Sequence, residues 1–155
     1  MKTYFITSLI LLLLNSFQLY SQPPATGTLE IEFTGIRSDE GQIAIGLNSS
    51  PDGWPREPEI ELAWPKENLE NGTLVVRIDT LEYGTYAISV LDDIDLDEEM
   101  KFFLGIPREG FGFSMNPPHK LQEPDFEESA INVGRPFQRI SIEMRYIAKG
   151  GRSPH

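Results

Sequence analysis

The acidic stretch from Asp92 to Glu99 contains the residues of this chain that are best suited to chemistry. Alternate residues of an extended segment point to the same side, so Asp93, Asp95 and Asp97 can converge if the loop curls. Clustered carboxylates repel one another unless a cation neutralises them, and Ca²⁺ prefers oxygen ligands of this kind. We therefore take Asp92, Asp93, Asp95 and Asp97 as candidate Ca²⁺ ligands.

The spacing of these carboxylates differs from that of an EF-hand loop. Glu98 stands where such a loop requires glycine, and Leu104 stands where it requires a bidentate glutamate. The alternative interpretation is a solvated acidic loop whose Ile94 and Leu96 dip into the edge of a sheet. The sequence leaves both interpretations open.

The block from Gly105 to Ser114 follows the acidic run and is rich in glycine and phenylalanine. In a functional interpretation, Phe111 and Phe113 present flat apolar surface to a sugar or peptide, while Arg108 and Glu109 bind its polar groups. In the structural interpretation, which we favour, both rings face the core, the glycines turn the chain, and Arg108 pairs with Asp92 or Asp93 of the preceding loop.

Trp54 lies in a proline-bounded loop, Pro51-Asp-Gly-Trp-Pro55. An exposed tryptophan can stack on a sugar ring, so this loop offers a possible glycan contact. The alternative is that Trp54 folds back and caps one end of the domain. A carbohydrate-binding module using Trp54, Phe111 and Phe113 is thus the second function to consider.

Residues for catalysis are scarce in this sequence. The chain has no cysteine, and its two histidines are His119, in a Pro-Pro-His-Lys segment, and His155, at the end of the sequence. A Ser-His-Asp triad or a histidine-ligated zinc site therefore has little to be built from. We expect no enzymatic activity; if there were any, Glu109, Asp92 and Asp93 would be the candidate titratable groups.

The first residues have the pattern of a signal peptide. Lys2 supplies the positive charge, and the apolar run that follows is shorter than the about 20 residues that span a bilayer. We expect a signal peptide over 1–21, a domain over 22–148 and a disordered tail over 149–155. The protein would then be bacterial and periplasmic or extracellular, with no membrane span after cleavage.

The net charge of −11 limits the partners that the chain can have. An acidic surface repels phosphate backbones, so we expect no nucleic-acid binding. Cations, glycans and other proteins of the cell envelope are the compatible partners. The oligomeric state cannot be read from the sequence.

Apolar and polar residues alternate through most of the presumed mature chain, which is typical of strands with one buried face. About seven short strands with turn residues between them predict an all-β protein, a single antiparallel Greek-key β-sandwich of the transthyretin-like or immunoglobulin-like kind. Arg37 to Gly41 is predicted to be a hairpin turn between the first two strands. Phe126 to Ser129 is predicted to form one helical turn. Tyr86 is predicted to pin a corner of the sandwich by bonding to nearby backbone.

Three segments carry a resemblance to a known family: Gly41–Pro55, Leu81–Val90 and Gly105–Ser114. They resemble the signature blocks of a bacterial exported family, domain of unknown function 2141. The resemblance implies a signal peptide and a small β-sandwich similar to transthyretin-like and carboxypeptidase-regulatory domains. It implies no activity.

The chain departs from the family pattern in the acidic run. Members usually carry there a segment resembling His-Asp-Glu-Asn-x-Asn-Gly-x-Leu-Asp, which is rich in oxygen ligands. This chain keeps Asp92 and has Asp93 at the Glu position, but about half of the candidate ligands are replaced, by Leu91, Ile94, Leu96, Asp97 and Met100. Any cation site here is expected to be weak.

Overall fold

The computed structural model describes residues 25–103, 106–118 and 122–147. The described chain forms ten strands and one short helix, in the order β1 (Thr26–Thr34), β2 (Gln42–Asn48), β3 (Ile60–Pro65), β4 (Leu74–Glu82), β5 (Gly84–Asp93), β6 (Phe102–Phe103), β7 (Ile106–Pro107), β8 (Gly110–Phe113), α1 (Phe126–Ser129), β9 (Ala130–Val133) and β10 (Phe137–Glu143). The predicted helical turn at Phe126–Ser129 is confirmed. The expected signal peptide and tail lie outside the described residues.

The strands form two larger sheets and a small hairpin. One sheet has the strand order β10-β1-β4, and the other has the order β3-β2-β5-β8, with β9 also paired to β5. Among the described residues, strands β6 and β7 pair with each other in a separate two-stranded sheet. All pairs are antiparallel except β1 with β10, which run parallel. The predicted β-sandwich is confirmed, with this one parallel pair as a departure from a purely antiparallel arrangement.

The predicted hairpin between the first two strands is wrong. Strand β1 pairs with β4 and β10, whereas β2 pairs with β3 and β5, so residues 35–41 connect two different sheets. Ile36 is buried in this connection, and its amide donates to the carbonyl of Gly72 at 3.0 Å. Turn residues between two alternating segments are compatible with both connections, because the pattern shows that a segment is a strand and not which strand it pairs with.

The inward-facing aliphatic side chains of the two sheets meet in one core. Ile43, Ile45, Val76, Ile88 and Ile142 of this core have at most 2 % of their surface exposed. At about 1.5 to 3 kcal/mol for each fully buried aliphatic side chain, this core is the main stabilising contribution in a chain without disulfides.

Tyr86 makes the contact that was predicted for it. Its ring is buried, and its hydroxyl donates to the carbonyl of Glu82 at 3.1 Å, across the turn that separates β4 from β5. Burial is the main cause that raises the pKa of Tyr86. The phenol therefore remains a donor that ties the start of β5 to the end of β4. Within the described residues, no helix is long and apolar enough to cross a membrane.

Candidate functional site

The candidate site lies where β5 ends and the acidic loop begins. Tyr86, Ile88, Val90 and Asp92 occupy alternate positions of β5 and are all buried. Because side chains alternate along a strand, Asp92 faces the core between the two sheets and Asp93 faces the opposite side. The two neighbouring carboxylates therefore have different partners.

Asp92 belongs to a buried polar cluster. One of its carboxylate oxygens contacts the ammonium of Lys66, and neither side chain has any exposed surface. Its other oxygen accepts a hydrogen bond from the Tyr146 hydroxyl at 2.5 Å. The Lys66 ammonium also donates to the carbonyl of Glu40 at 2.6 Å. Asp92 is thus separated from the other three aspartates that the sequence grouped with it.

The ring of Tyr146 is held on two sides in this cluster. The backbone amide of Arg37 donates to its hydroxyl at 3.1 Å, and the Arg37 guanidinium carbon lies 4.3 Å from the ring centroid. Burial raises the pKa of Tyr146, and the hydrogen bond to Asp92 raises it further. The phenol therefore keeps its proton and donates a hydrogen bond to Asp92.

Asp93 is buried under the acidic loop and holds the loop in place through hydrogen bonds. Its side chain accepts hydrogen bonds from the side-chain amide of Gln42 at 2.8 Å and from the backbone amides of Asp97 and Glu98 at 3.1 and 3.3 Å. Leu96 and Glu98 adopt positive φ angles of 63° and 60°. These contacts and angles curl the loop back over Asp93, which leaves that residue with no exposed surface.

The curl brings three carboxylates together. One oxygen from each of Asp93, Asp95 and Asp97 lies within 4.8 Å of the others, and Asp95 and Asp97 are exposed. The ammonium of Lys101 contacts Asp95 and lies 2.7 Å from Asp97. Its hydrogen bond is the main cause that lowers the pKa of Asp97. Lys101 is thus a tethered cation at the solvent side of the cluster, where water weakens such ion pairs.

Glu109 is a buried carboxyl group beside the acidic loop. It is only 7 % exposed, and one of its carboxylate oxygens has no hydrogen-bond partner among the described residues. Burial raises the pKa of Glu109; the charges of Asp95 and Asp93 add to this, while backbone hydrogen bonds from Lys101 and Ile94 oppose it. The sequence placed Glu109 in a ligand-binding block with Arg108, whereas the structure places it against the acidic loop.

The predicted pairing of Arg108 with Asp92 or Asp93 is wrong. Asp92 is occupied by Lys66 and Tyr146, and Asp93 by Gln42 and two backbone amides. Arg108 is exposed, and its backbone amide donates to the carbonyl of Lys101 at 2.9 Å. Sequence proximity suggested this ion pair, but the carboxylates are satisfied by other residues, most of them from distant segments of the chain.

Phe111 and Phe113 were predicted to face the core; Phe113 is buried, but both rings lie on the outer face of the sheet and not between the two sheets. In β8 they pair with Leu91 and Ser89, which lie on the outer side of β5. The positions that face the other sheet are Gly110 and Gly112, where a Cβ atom would meet the ring of Tyr146 and the side chain of Ile142 at 2.4 and 2.7 Å. The glycines of this block thus allow the sheets to approach closely.

An aromatic cluster forms instead on the outer face of the five-stranded sheet. The Trp54 ring packs edge-on against Phe113 and Phe126, with centroids 5.8 and 6.3 Å apart, and Phe111 packs against Phe113 at 5.9 Å. The Trp54 indole nitrogen donates to the carbonyl of Pro124 at 2.9 Å. Trp54 is half-buried and Phe113 is buried. The rings pack against each other, which offers less flat surface to a sugar than the sequence suggested.

Sequence reasoning missed the residues that complete both clusters. Lys66, Tyr146, Gln42 and Lys101 were not among the candidates. A lysine directly after the apolar strand β3 was the only local signal for Lys66, and nothing in the sequence relates it to Asp92, which lies two strands away.

Comparison with known proteins places the chain in one family. Residues 31–141 match the sequence model of a family described as "Uncharacterized protein conserved in bacteria (DUF2141)". No curated protein and no solved structure matches the chain. The matched residues include most of the two sheets, the acidic loop and the glycine-rich strand β8. The chain therefore belongs to the family of domain of unknown function 2141, as its signature blocks predicted.

Proposed function

We propose that this protein is an exported, non-catalytic binding or structural module of the bacterial cell envelope whose acidic loop binds Ca²⁺. One observation carries the cation site. Three carboxylates converge within 4.8 Å of one another, and beside them Glu109 keeps a buried carboxylate oxygen without a partner among the described residues.

The charges of the cluster support a divalent cation. Asp93, Asp95 and Asp97 bring three carboxylates together, and the charges of Asp93 and Asp95 act on the buried Glu109. Among the described residues, Lys101 forms ion pairs with Asp95 and Asp97. Burial near like charges is costly for Glu109, which is why its pKa is raised. A second, stronger positive charge at this place would remove that cost.

The ligands of the cluster suit Ca²⁺ better than Mg²⁺. Ca²⁺ accepts about six to eight oxygen ligands in flexible geometry, whereas Mg²⁺ requires near-ideal octahedral geometry. The three carboxylates come from one curled loop and lie within 4.8 Å of one another. The exposed positions of Asp95 and Asp97 leave room for water to complete the shell.

The test is thermal unfolding of the purified protein during titration with CaCl₂. Sites of this open kind in extracellular modules have a Kd of about 10⁻⁴ to 10⁻³ M. At ten times Kd, ligand binding adds about 1.4 kcal/mol, which raises the melting temperature by about 3 to 6 °C for a domain of this size. MgCl₂ at the same concentration should have a smaller effect.

Matched variants test whether the Ca²⁺-induced rise in melting temperature depends on this cluster. Asp95→Asn and Glu109→Gln should reduce the Ca²⁺ shift, whereas Asp39→Asn should keep it, because Asp39 is exposed on the connection between β1 and β2 and lies outside the cluster. No shift of the wild-type protein at 10 times the upper limit of this Kd range, about 10 mM, refutes the cation site.

Export is tested separately. Expression of the full chain in a bacterial host with a periplasm, followed by fractionation and N-terminal sequencing, should give a periplasmic protein that begins at Gln22. A cytoplasmic protein that retains Met1 would contradict the export part of the proposal and leave the cation site to be judged by its own titration.

A further inference from the structure

The two sides of the sandwich differ in how their edge strands are covered. Strand β8 lies beside the segment after β10, because Phe111 and Arg145 exchange two backbone hydrogen bonds, at 2.9 and 2.7 Å. The Asn116 side chain also bonds the carbonyl of Ser141 and the amide of Glu143 in β10. On the other side, β3 and β4 each pair with one strand among the residues that the structure describes.

Of these two open edges, β4 is the less suited to further pairing. Thr80 interrupts it with a φ angle of 59°, and Arg77 and Asp79 are exposed charges on it. Irregular backbone and exposed charges keep edge strands from pairing with other chains. Strand β3 has no positive φ angle, and Glu61 is its one charged residue. The open edge of β3 is therefore the better place for an added strand.

One face of β3 is apolar and incompletely covered. Ile60, Leu62 and Trp64 occupy alternate positions, and the last two pack against the core. Their register partners in β2 are at most 2 % exposed, whereas Ile60 is 38 % exposed and Leu62 and Trp64 are half-buried. The core thus ends at β3 with apolar surface that one more strand would cover.

The backbone groups on the open edge of β3 follow from the sheet ladder. Successive residues of an antiparallel strand direct their N–H and C=O groups to opposite sides. Ile88 of β5 bonds to Ser114, on the side away from β2. Carried across the registers of β5 with β2 and of β2 with β3, this assigns the backbone groups of Glu61, Ala63 and Pro65 to the open edge. Pro65 fits there, since proline in a sheet turns the side without an N–H to solvent.

We propose that β3 pairs antiparallel with β3 of a second copy of this chain, about a two-fold axis at Leu62. Glu61 of each copy then lies opposite Ala63 of the other, and each of these two pairs exchanges two backbone hydrogen bonds. On the apolar face, Leu62 meets Leu62 of the second copy, and Ile60 meets Trp64. The five-stranded sheets of the two copies become one continuous sheet.

The order of residues in β3 favours a second copy as the partner. An axis at Glu61 would place two glutamates directly opposite each other, which is destabilising. An axis at Ala63 would place Glu61 opposite Pro65, which has no N–H to donate. The axis at Leu62 avoids both costs and sets apolar residues opposite each other. The strand is therefore complementary to itself in this register.

The test is sedimentation equilibrium of the purified protein. Two short strands make a small interface, so we expect a weak dimer with a Kd of about 1 μM to 1 mM. The copies are acidic, with a net charge of −11, and their Glu61 side chains lie diagonally across the pairing, so the Kd should fall as added salt screens the charges. A protein that remains monomeric at about 1 mM in high salt overturns the proposal.

Variants at Ala63 test the register, because this exposed residue would lie opposite Glu61 of the second copy. Ala63→Lys places opposite charges together at two symmetric positions and should lower the Kd by about 2-fold to 30-fold, whereas Ala63→Glu should raise it by a similar factor. Val75→Lys and Val75→Glu make the same charge changes at an exposed position of β4 and are the matched controls. Equal effects at the two positions overturn the proposal.

A cysteine on the axis tests the same register by cross-linking. Opposite residues of a pair without hydrogen bonds have Cα atoms about 4.5 Å apart, which a disulfide can bridge. The chain has no cysteine of its own, so Leu62→Cys should give a disulfide-linked dimer under mild oxidation and Val75→Cys should not. Cross-linking of Val75→Cys alone would place the interface at β4 and overturn the proposal. If Leu62→Cys fails to fold, the variants at Ala63 decide.

Discussion

Gly110 is the position where a single methyl group should disturb the buried cluster most. A Cβ atom added there would lie 2.4 and 2.5 Å from two ring carbons of Tyr146 and 2.9 Å from its hydroxyl oxygen. The ring cannot move freely, because its hydroxyl is bonded to Asp92 and to the amide of Arg37. Gly110→Ala must therefore displace either the ring or strand β8.

The magnitude follows from two destabilising contributions and one stabilising contribution. Overpacking a buried site costs about 1 to 3 kcal/mol. Loss of the hydrogen bond between Tyr146 and the charged Asp92 costs about 1.5 to 3 kcal/mol more. Alanine restricts the conformations of the unfolded chain, which stabilises the folded protein by about 0.4 to 1 kcal/mol. We expect Gly110→Ala to lower the free energy of unfolding by about 1.5 to 5.5 kcal/mol.

Urea denaturation followed by circular dichroism measures this difference. The matched control is Gly134→Ala, because Gly134 is exposed and its added Cβ would approach only the flexible side-chain end of Asn132, at 2.9 Å. The control should change the free energy of unfolding by less than about 0.5 kcal/mol, as surface substitutions usually do. If Gly110→Ala is as stable as the control, the close packing of β8 against Tyr146 does not have the role described here.

Two further predictions concern the acidic loop. Asp93→Ala removes three hydrogen bonds to a buried carboxylate and should destabilise the protein by about 2 to 4 kcal/mol in urea, even without Ca²⁺; a loss below about 1 kcal/mol would contradict its role in holding the loop in place. Glu109→Gln should change the pH dependence of stability in Ca²⁺-free buffer. The pKa of Glu109 in the folded protein is raised above its usual value of 4.5, so its stabilising contribution is complete below that value and is lost as the pH rises through the folded pKa. Melting temperatures should therefore fall less steeply above pH 4.5 in Glu109→Gln than in the wild type; parallel profiles would show that the carboxyl is not perturbed.

Local sequence patterns were sufficient to predict the strands and two detailed local features. Apolar side chains recur at every second position because successive strand residues face opposite sides, so the strands and the buried aliphatics could be read directly from the sequence. The Tyr86 corner and the turn of α1 were also predictable, since both depend on residues within a few positions of each other. The same holds for the convergence of Asp93, Asp95 and Asp97.

Local sequence patterns could not predict the contacts between strands. The alternation shows that Phe111 and Gly110 face opposite sides of β8, but it does not show which of the two faces the other sheet. A large ring is the usual occupant of a core, and here Tyr146, from the segment after β10, already fills that space. The direction of Phe111 and Phe113 was therefore predicted wrongly.

The sequence by itself determined that this chain forms a β-sandwich with an acidic loop after its central strand, because burial pattern and charge are local properties of the residues. The tertiary structure alone decided that Asp92 meets Lys66 and Tyr146 while Asp93 stays with the loop. The physical reason is that sheet pairing and register join residues far apart in the chain, and a strand's own sequence does not encode the identity of its neighbours.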